Sequence, residues 1–360
     1  MAYKIGDTAL IIESNGQSVL IVKELSFGVD GTDSAGDFIT AAGGSVPNSF
    51  TLSDNFIANY FPFQFQGSTS GYSSAGLAPP STNVIDKFPF STDANASDVG
   101  DLTQNRQNVA GQSSKVSGYT SGGYGNLDTI DKFPFSSDGN ASDVGNLTAG
   151  RNAVAGNSSS TNGYTTGGST TGYPVTVSDV IDKFPISADE NATDVGNLTV
   201  ARRNVSGQSS SGHGYVAGGG PPNTNIIEKF PFSTDANSSD VGDLLTSGFG
   251  RSGQSSTTHG YASGGYPFPN SGSVIEKFPF ASDGNSTDVG DTTVARATAA
   301  GQSSTGSGYM SGGYDLSNPS PPPSIQYYDV IEKFPFSTDA NATDVGNLTQ
   351  ARYGLAGQQV

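Results

Sequence analysis

One short segment recurs six times along this chain, and its recurrence limits the fold more than any other feature. VIDKFPF at 84–90 returns as TIDKFPF at 129–135, VIDKFPI at 180–186, IIEKFPF at 226–232, VIEKFPF at 274–280 and VIEKFPF at 330–336. The first Phe of each copy lies 45 to 56 residues before that of the next. A repeat of this length is one supersecondary unit, which buries its apolar surface only against neighbouring copies.

Each copy divides into four short strand candidates. They are a Gly-Tyr segment such as GYTSGG at 118–123, the acid-Lys-Phe-Pro segment, a segment such as DVGDLT at 98–103, and a segment that runs from an Arg into AGQSS, as at 106–114. Short apolar runs bounded by Gly, Asn and Ser are typical of strands and turns, and no segment has a sustained helical pattern. The 49 Gly would also suit a disordered chain, but the 20 Phe and 15 Tyr recur at fixed offsets.

The order of these elements indicates how the copies are joined. The Gly-Tyr, Lys-Phe-Pro and Ala-Gly-Gln elements each occur six times, and the pattern begins with a Gly-Tyr strand at 71–76 and ends with an Ala-Gly-Gln strand at 352–360. We therefore expect the C-terminal strand to complete the first blade and remove two open sheet edges. The sequence predicts an all-β protein, with a six-bladed β-propeller at 67–360 and a small β segment at 1–66. An open stack of six hairpin units is the alternative.

The repeat resembles two groups of known proteins. Over 71–360 the repeat is similar to kelch repeats, because its elements follow the same order: an apolar strand, Gly-Gly, a variable loop, a strand with an aromatic residue and a strand leading to Arg. The Trp that usually ends the kelch pattern is replaced here by Val-Gly-x-Leu. Repeats such as IEKFPFSTDANATDVGNLT at 331–349, and the opening MAYKIGDTALII, resemble virion proteins of marine tailed bacteriophages. These resemblances imply a kelch-like propeller in a phage fibre or appendage.

Charge and residue types exclude several functions. Acidic residues outnumber basic ones by 33 to 16, which gives a net charge of −17 and predicts no nucleic-acid partner. No apolar run of about 20 residues is present, so no membrane insertion is expected. The N-terminus also lacks the features of a secretory signal.

The chain has no Cys, and its two His are His213 and His259. We predict that it is not an enzyme and has no resident cofactor.

Most basic residues recur once per copy, which predicts a structural role. Each Lys follows an acid, and because neighbours in a strand point to opposite faces, we expect the Lys to pair with an adjacent strand or blade. In the fourth copy Gly248 stands in the Arg position and Arg251 is displaced. The recurring residues are Lys87, Lys132, Lys183, Lys229, Lys277 and Lys333, with Arg106, Arg151, Arg202, Arg296 and Arg352.

The loop after each Lys-Phe-Pro strand is rich in Asp and Asn, and two interpretations remain open. Oxygen ligands at this spacing are candidates for Ca²⁺, although the loop lacks the Gly and the Glu of an EF-hand. The alternative is an Asx-type turn in which these side chains accept backbone hydrogen bonds. The candidate metal ligands of the first two copies are Asp93, Asn95, Asp98, Asp138, Asn140 and Asp143.

The connections between Gly-Gly and Lys-Phe-Pro vary strongly in length and sequence, from YGNLD at 124–128 to YDLSNPSPPPSIQYYD at 314–329. They lie on the face opposite the Asp/Asn loops if the strands alternate in direction. Uneven loops with exposed aromatic residues suit surface or glycan recognition, whereas tolerated variation in loop length is the alternative. The candidate binding residues are Tyr124, Tyr173, Tyr266, Phe268, Tyr327 and Tyr328.

Residues 1–66 lie outside the repeat. TALIIE and SVLIVKELSF are predicted to form two strands around a turn at Ser14, Asn15 and Gly16, and NFIANYFPFQF adds a third apolar segment. We predict that this segment attaches the propeller to other virion proteins, and a homo-oligomer is compatible with this. The phage resemblance implies a tail fibre or appendage exposed on the virion, which binds a host cell-surface glycan or protein. A capsid or tail decoration protein and a carbohydrate-active enzyme are the alternatives.

Overall fold

The computed structural model describes residues 9–14, 17–22, 66–170, 175–267, 272–315 and 325–360. The chain divides into two units, Met1–Pro62 and Phe63–Val360. In the first unit Ala9–Ser14 (β1) and Gln17–Val22 (β2) pair as an antiparallel hairpin, as predicted from the sequence. The apolar segment at 55–65 lies outside the described residues.

The second unit contains six four-stranded antiparallel sheets, one for each copy of the repeat. From the inner to the outer strand, blades 1 to 3 are Ala356–Gln359 (β28), Ser70–Ser74 (β3), Val84–Pro89 (β4) and Ser97–Asp101 (β5); Ala110–Ser113 (β6), Ser117–Ser121 (β7), Thr129–Pro134 (β8) and Ser142–Asn146 (β9); and Ala155–Ser158 (β10), Asn162–Thr166 (β11), Val180–Pro185 (β12) and Thr193–Asn197 (β13).

The remaining three blades have the same strand order. Blades 4 to 6 are Ser206–Ser209 (β14), His213–Ala217 (β15), Ile226–Pro231 (β16) and Ser239–Asp243 (β17); Ser252–Ser255 (β18), His259–Ser263 (β19), Val274–Pro279 (β20) and Thr287–Asp291 (β21); and Ala300–Ser303 (β22), Ser307–Ser311 (β23), Val330–Pro335 (β26) and Thr343–Asn347 (β27). A two-stranded sheet of Tyr314–Asp315 (β24) and Gln326–Tyr327 (β25) lies in the connection of blade 6.

The C-terminal strand closes the ring. β28 pairs with β3 in antiparallel register, so that Ala356 lies opposite Ser74 and Gln359 opposite Gly71. The prediction of an all-β, six-bladed propeller is confirmed, and the open stack of hairpins is wrong. Within the described part of the chain, no helix has the length and apolarity needed to cross a membrane.

The inner strands approach one another so closely that only Gly fits at one position in each. A Cβ on Gly207 would lie 2.3 Å from the carbonyl oxygen of Gly156, and one on Gly357 would lie 2.0 Å from that of Gly301. The same relation links all six inner strands into a closed circle, which accounts for the Gly of every Ala-Gly-Gln element. The residues of this glycine ring are Gly111, Gly156, Gly207, Gly253, Gly301 and Gly357.

Buried amide side chains join each inner strand to the next blade. Gln112 Nε2 donates to the carbonyl oxygen of Tyr164 at 2.9 Å, and Gln302 Nε2 donates across the ring closure to that of Tyr72 at 2.9 Å. Because a buried amide without a partner is costly, these bonds favour Gln or Asn at this position. The equivalent donors in the other blades are Asn157, Gln208, Gln254 and Gln358.

The apolar core is divided among the spaces between neighbouring blades. In each space a Tyr and an Ile of one blade pack against a Phe of the next, as where Tyr72 and Ile85 contact Phe133. The ring centroids of Tyr72 and Phe133 are 5.6 Å apart, as are those of Tyr309 and Phe88 at the closure. The recurring Gly-Tyr and Lys-Phe-Pro elements therefore supply the two sides of each core.

Six buried ion pairs lie among the strands. Arg106 and Asp131 are fully buried, and their side chains approach to 2.7 Å. Thus the acid of each Lys-Phe-Pro strand pairs with an Arg from the connection that leads into its own blade. In blade 5 the displaced Arg251 reaches Glu276, so the pairing continues although Gly248 stands in the Arg position. The other pairs are Arg151–Asp182, Arg202–Glu228, Arg296–Glu332 and Arg352–Asp86.

The glycine ring generates a test of the fold. Gly207→Ala forces a methyl group against the backbone of the inner strand of blade 3, and we expect it to lower the free energy of unfolding by about 1–3 kcal/mol. The control is Gly212→Ala in the same blade, where an added Cβ meets nothing within 4 Å. That variant is expected to change stability by less than about 1 kcal/mol. Urea denaturation followed by circular dichroism measures both, and equal effects would contradict the close approach.

Candidate functional site

The order of the strands places the connections on two faces. The turn after each inner strand and the Asp/Asn loop share one face, which we call the uniform face because these loops differ little among blades. The connection after Gly-Gly and the segment that carries the Arg share the other, which we call the variable face. This arrangement follows the prediction made from alternating strand directions. Sequence differences among the blades are therefore concentrated on one face.

Salt bridges on the uniform face join each blade to the next. Lys87 Nζ lies 2.9 Å from Asp138 Oδ1, and Lys333 Nζ lies 2.5 Å from Asp93 Oδ1 across the ring closure. The prediction that each Lys pairs with an adjacent blade is confirmed. The hydrogen bond to Asp138 is the main cause that raises the pKa of Lys87. The other pairs are Lys132–Asp189, Lys183–Asp235, Lys229–Asp283 and Lys277–Asp339.

The other candidate metal ligands bind backbone N–H groups. Asn140 Oδ1 accepts from Asp101 N of the preceding blade at 3.0 Å, and Asp98 Oδ1 accepts from Gly100 N at 3.1 Å. These are the contacts of the Asx-type alternative. In the residues that the structure describes, no group of three or more His, Asp or Glu is placed to hold a metal ion. Asn95 and Asp143 make the equivalent bonds to Asn347 N and Gly145 N.

On the variable face, a ring of backbone hydrogen bonds surrounds the mouth of the central channel. Asn108 N donates to Gly354 O at 2.7 Å, Thr298 N donates to Gly250 O at 2.7 Å, and the remaining members continue the circle. The six residues that form this ring all have φ between 52° and 71°, so the backbone turns sharply at the same point in every blade. They border a cavity of about 70 Å³. The members of this mouth ring are Asn108, Ala153, Asn204, Gly250, Thr298 and Gly354.

Aromatic side chains occupy one side of the rim around this mouth. The ring centroids of Phe249 and Tyr266 are 5.0 Å apart, and those of Tyr314 and Tyr353 are 4.8 Å apart. Tyr327 stacks on Tyr353 at 5.5 Å with an interplanar angle of 15°. All five side chains are half-buried, and they belong to the connections of blades 5, 6 and 1. We call this group the aromatic arc.

The rest of the rim has fewer aromatic side chains, with Tyr124 of blade 2 at the position that Tyr266 and Tyr314 have in blades 5 and 6. Backbone bridges pair Phe249 with Tyr266 and Ala297 with Tyr314 immediately before the mouth ring. At the positions of Phe249 and Tyr353, blades 2 to 4 have Gln107, Asn152 and Arg203. The rim is therefore asymmetric, although the scaffold below it repeats six times.

The hydroxyl groups of Tyr314 and Tyr353 stay protonated at neutral pH. Burial raises the pKa of Tyr314, and the neighbouring Tyr353 and Tyr266 add to this. Burial also raises the pKa of Tyr353, with a further contribution from Tyr327. Each of these hydroxyls is therefore neutral and remains able to donate a hydrogen bond.

The structure brings only part of the predicted binding set together. Tyr266 and Tyr327 belong to the arc. Tyr328 lies next to Tyr327, and its N–H donates to Gly313 O at 3.0 Å. Tyr124 is 58% exposed on blade 2, outside the arc. Tyr173 and Phe268 lie outside the described residues.

The predicted binding set omitted Phe249, Tyr314 and Tyr353. Phe249 and Tyr353 lie outside the long loops, and Tyr314 is the first residue of the loop at 314–329. Tyr353 follows the recurring Arg352, and Phe249 follows Gly248, which replaces that Arg in the fourth copy. Tyr314 directly follows a Gly-Gly pair. The position after the recurring Arg and the position after Gly-Gly hold different residues in different copies, whereas the neighbouring positions repeat. A comparison of the copies position by position therefore contains the signal that identifies these residues.

Comparison with known proteins supports the fold alone. No protein-family model and no curated protein matches the chain. Among solved structures, one described as "Structure of YjhT" has a TM-score of 0.57 and 12% sequence identity, and the match covers 71% of this chain and 88% of that chain. At this identity the likeness supports a β-propeller, and the kelch and phage resemblances stay predictions.

The two sets of ion pairs are expected to differ in their effect on stability. Arg202→Met leaves Glu228 buried without its cation and should lower the free energy of unfolding by about 3–5 kcal/mol. Lys229→Met removes a pair whose Asp283 is 57% exposed, and should cost less than about 1 kcal/mol. Chemical denaturation at neutral pH and moderate salt tests this difference, and equal losses would show that the assignment of buried and exposed pairs is wrong.

Proposed function

We propose that this protein is a non-enzymatic virion protein of a tailed bacteriophage, a tail fibre or appendage, that presents the variable face of its propeller to the host-cell surface. The observation that carries the proposal is the contrast between the two faces. Five aromatic side chains cluster on the rim of one face, whereas the loops of the other repeat in every blade. Connections that vary on a rigid scaffold are common places for recognition.

The point where the chain enters the propeller agrees with this orientation. Gln66 Nε2 donates to Ser255 O at 2.8 Å, and Gly67 N donates to Ser303 O at 2.8 Å. Both acceptors end inner strands at the uniform face. Gln66 and Gly67 thus lie at the uniform face, and the variable face is on the opposite side of the propeller. We assign attachment to other virion proteins to residues 1–66.

The recurring charges support a binding protein more than an enzyme. General acid–base catalysis requires titratable groups in unlike environments, but the acids of the Lys-Phe-Pro strands have equivalent Arg partners in every blade. His213 is half-buried, and burial, with the nearby Lys229, lowers its pKa. The carboxylates thus have a structural role that accounts for their repetition.

A graft between blades tests the proposal. In the variant, YGNLD of blade 2 (124–128) replaces residues 314–329, which removes Tyr327 and Tyr328 but retains a loop that the same scaffold already carries. We expect binding of the labelled protein to cells of susceptible marine bacteria to fall at least about tenfold, since stacked aromatic pairs are worth about 0.5–1.5 kcal/mol each beyond their buried area. Flow cytometry with increasing protein concentration measures the binding.

The control is Val116→Ser on the uniform face, where Val116 is 67% exposed. This variant should bind cells as the original protein does. Equal binding by the graft, or equal loss in the control, would contradict recognition through the variable face. A folded protein that assembles into particles but binds no susceptible cell would instead favour a decoration protein.

A further inference from the structure

The aromatic arc and the mouth ring lie side by side, and together they define the chemistry of a ligand. We infer that they form a binding site for an uncharged glycan, with one sugar ring stacked on the arc and one of its substituents directed into the channel mouth. This inference rests on the proposed function, because it specifies what the variable face recognises.

The arc has the geometry of a stacking surface. Tyr314 and Tyr353 are inclined at 59°, and Phe249 and Tyr266 at 34°, so the arc presents ring faces in more than one direction. A pyranose has a face of C–H groups that packs on aromatic rings, while its hydroxyls require hydrogen-bond partners at the edge. Tyrosine supplies both an apolar ring and a hydroxyl. Half-burial holds these side chains in place before a ligand arrives, which reduces the entropy lost on binding.

The mouth ring contributes a polar contact that no residue of the protein uses. Thr298 Oγ1 is buried, has no hydrogen-bond partner and belongs to the wall of the cavity. Within the mouth ring Thr298 is bonded to Gly250, which follows Phe249, and to Gly354, which follows Tyr353. The hydroxyl therefore lies between the two ends of the arc. A sugar hydroxyl in the cavity would satisfy it once the side chain turns to expose Oγ1.

The size of the cavity limits what enters. Its volume is about 70 Å³, whereas about 10–15 Å³ on the same measure is enough to hold one water. The cavity therefore has room for a hydroxyl or hydroxymethyl group. We place the sugar ring above the mouth, at the level of the arc, where it can stack.

The charges around the arc favour a neutral ligand. Arg251, Arg296 and Arg352 of the same connections are buried and paired with Glu276, Glu332 and Asp86. Asp315 and Asp329 flank the arc residues in sequence, and the net charge of the chain is −17. The arginines of these three connections are thus already paired with acids, and the net charge disfavours the approach of an acidic sugar at long range.

Calorimetric titration of the full-length protein tests the inference. The probes are neutral gluco-, galacto- and manno-oligosaccharides, with oligouronates and sialylated oligosaccharides as acidic counterparts. We expect at least one neutral series to bind more than tenfold more tightly than any acidic one. Tyr353→Ala should weaken that binding at least tenfold, and Thr298→Val should weaken it several-fold. Tyr353→Phe, which keeps the ring, should retain most of the affinity.

The control is Val116→Ser, which changes an exposed side chain of the uniform face. It should leave glycan affinity unchanged, and thermal denaturation should show that every variant is folded. Preferred binding of acidic glycans, absence of binding to all series, or equal loss in Val116→Ser would overturn the inference.

Cell binding separates this inference from the proposed function. If the protein binds cells, and protease treatment of the cells abolishes binding while neutral oligosaccharides do not compete, the partner is a protein. The glycan site is then wrong, but host recognition stands. If neutral glycans bind at the arc and no susceptible cell is bound, the site stands and the proposed function fails.

Discussion

The contact between neighbouring inner strands is the constraint on which the propeller depends. Each strand approaches the next so closely that Gly207 and its five equivalents leave no room for a Cβ. Amide side chains such as Gln112 reach the second strand of the next blade, and the mouth ring adds a backbone bond between the same neighbours. All three sets link only adjacent blades. Every blade is therefore stabilised by both of its neighbours, and β28 is required because it gives the first and last blades the same contacts.

This pattern of contacts explains why one face is uniform and the other varies. On the uniform face the Asp/Asn loop bonds to the neighbouring blade, as when Asn140 accepts from Asp101 N and Asp138 pairs with Lys87. A change in that loop would disrupt two blades. On the variable face the connections are anchored at their ends, by bridges such as that between Ala297 and Tyr314. The chain beyond an anchor can change length without altering a contact between blades, so specificity can be varied there.

The sequence carries more information about the fold than about the site. The period and the six-fold count of each element predicted the blades and the closing strand, because both are local patterns. The pairing of Arg106 with Asp131 lies within one blade and depends on where the two side chains point, so periodicity did not predict it. The mouth ring shares a backbone conformation among Asn, Ala, Gly and Thr, which have no common propensity. The aromatic arc forms because the ring brings blades 5, 6 and 1 together, and no single copy contains it.

The departure of one copy from the repeat links the scaffold to the site. In the fourth copy Gly248 replaces the recurring Arg, and Phe249 follows it in the arc. Without a cation beside it, the buried Glu276 would lower the free energy of unfolding by about 3–5 kcal/mol. Arg251 prevents this: it occupies the position that Val109 has in blade 2, yet its guanidinium reaches Glu276, which also accepts from Ser286 Oγ at 2.6 Å. The scaffold thus retains its charge pairing while the rim gains an aromatic side chain. A sequence change that keeps the buried pair but alters the rim is what selection for binding at this position would produce.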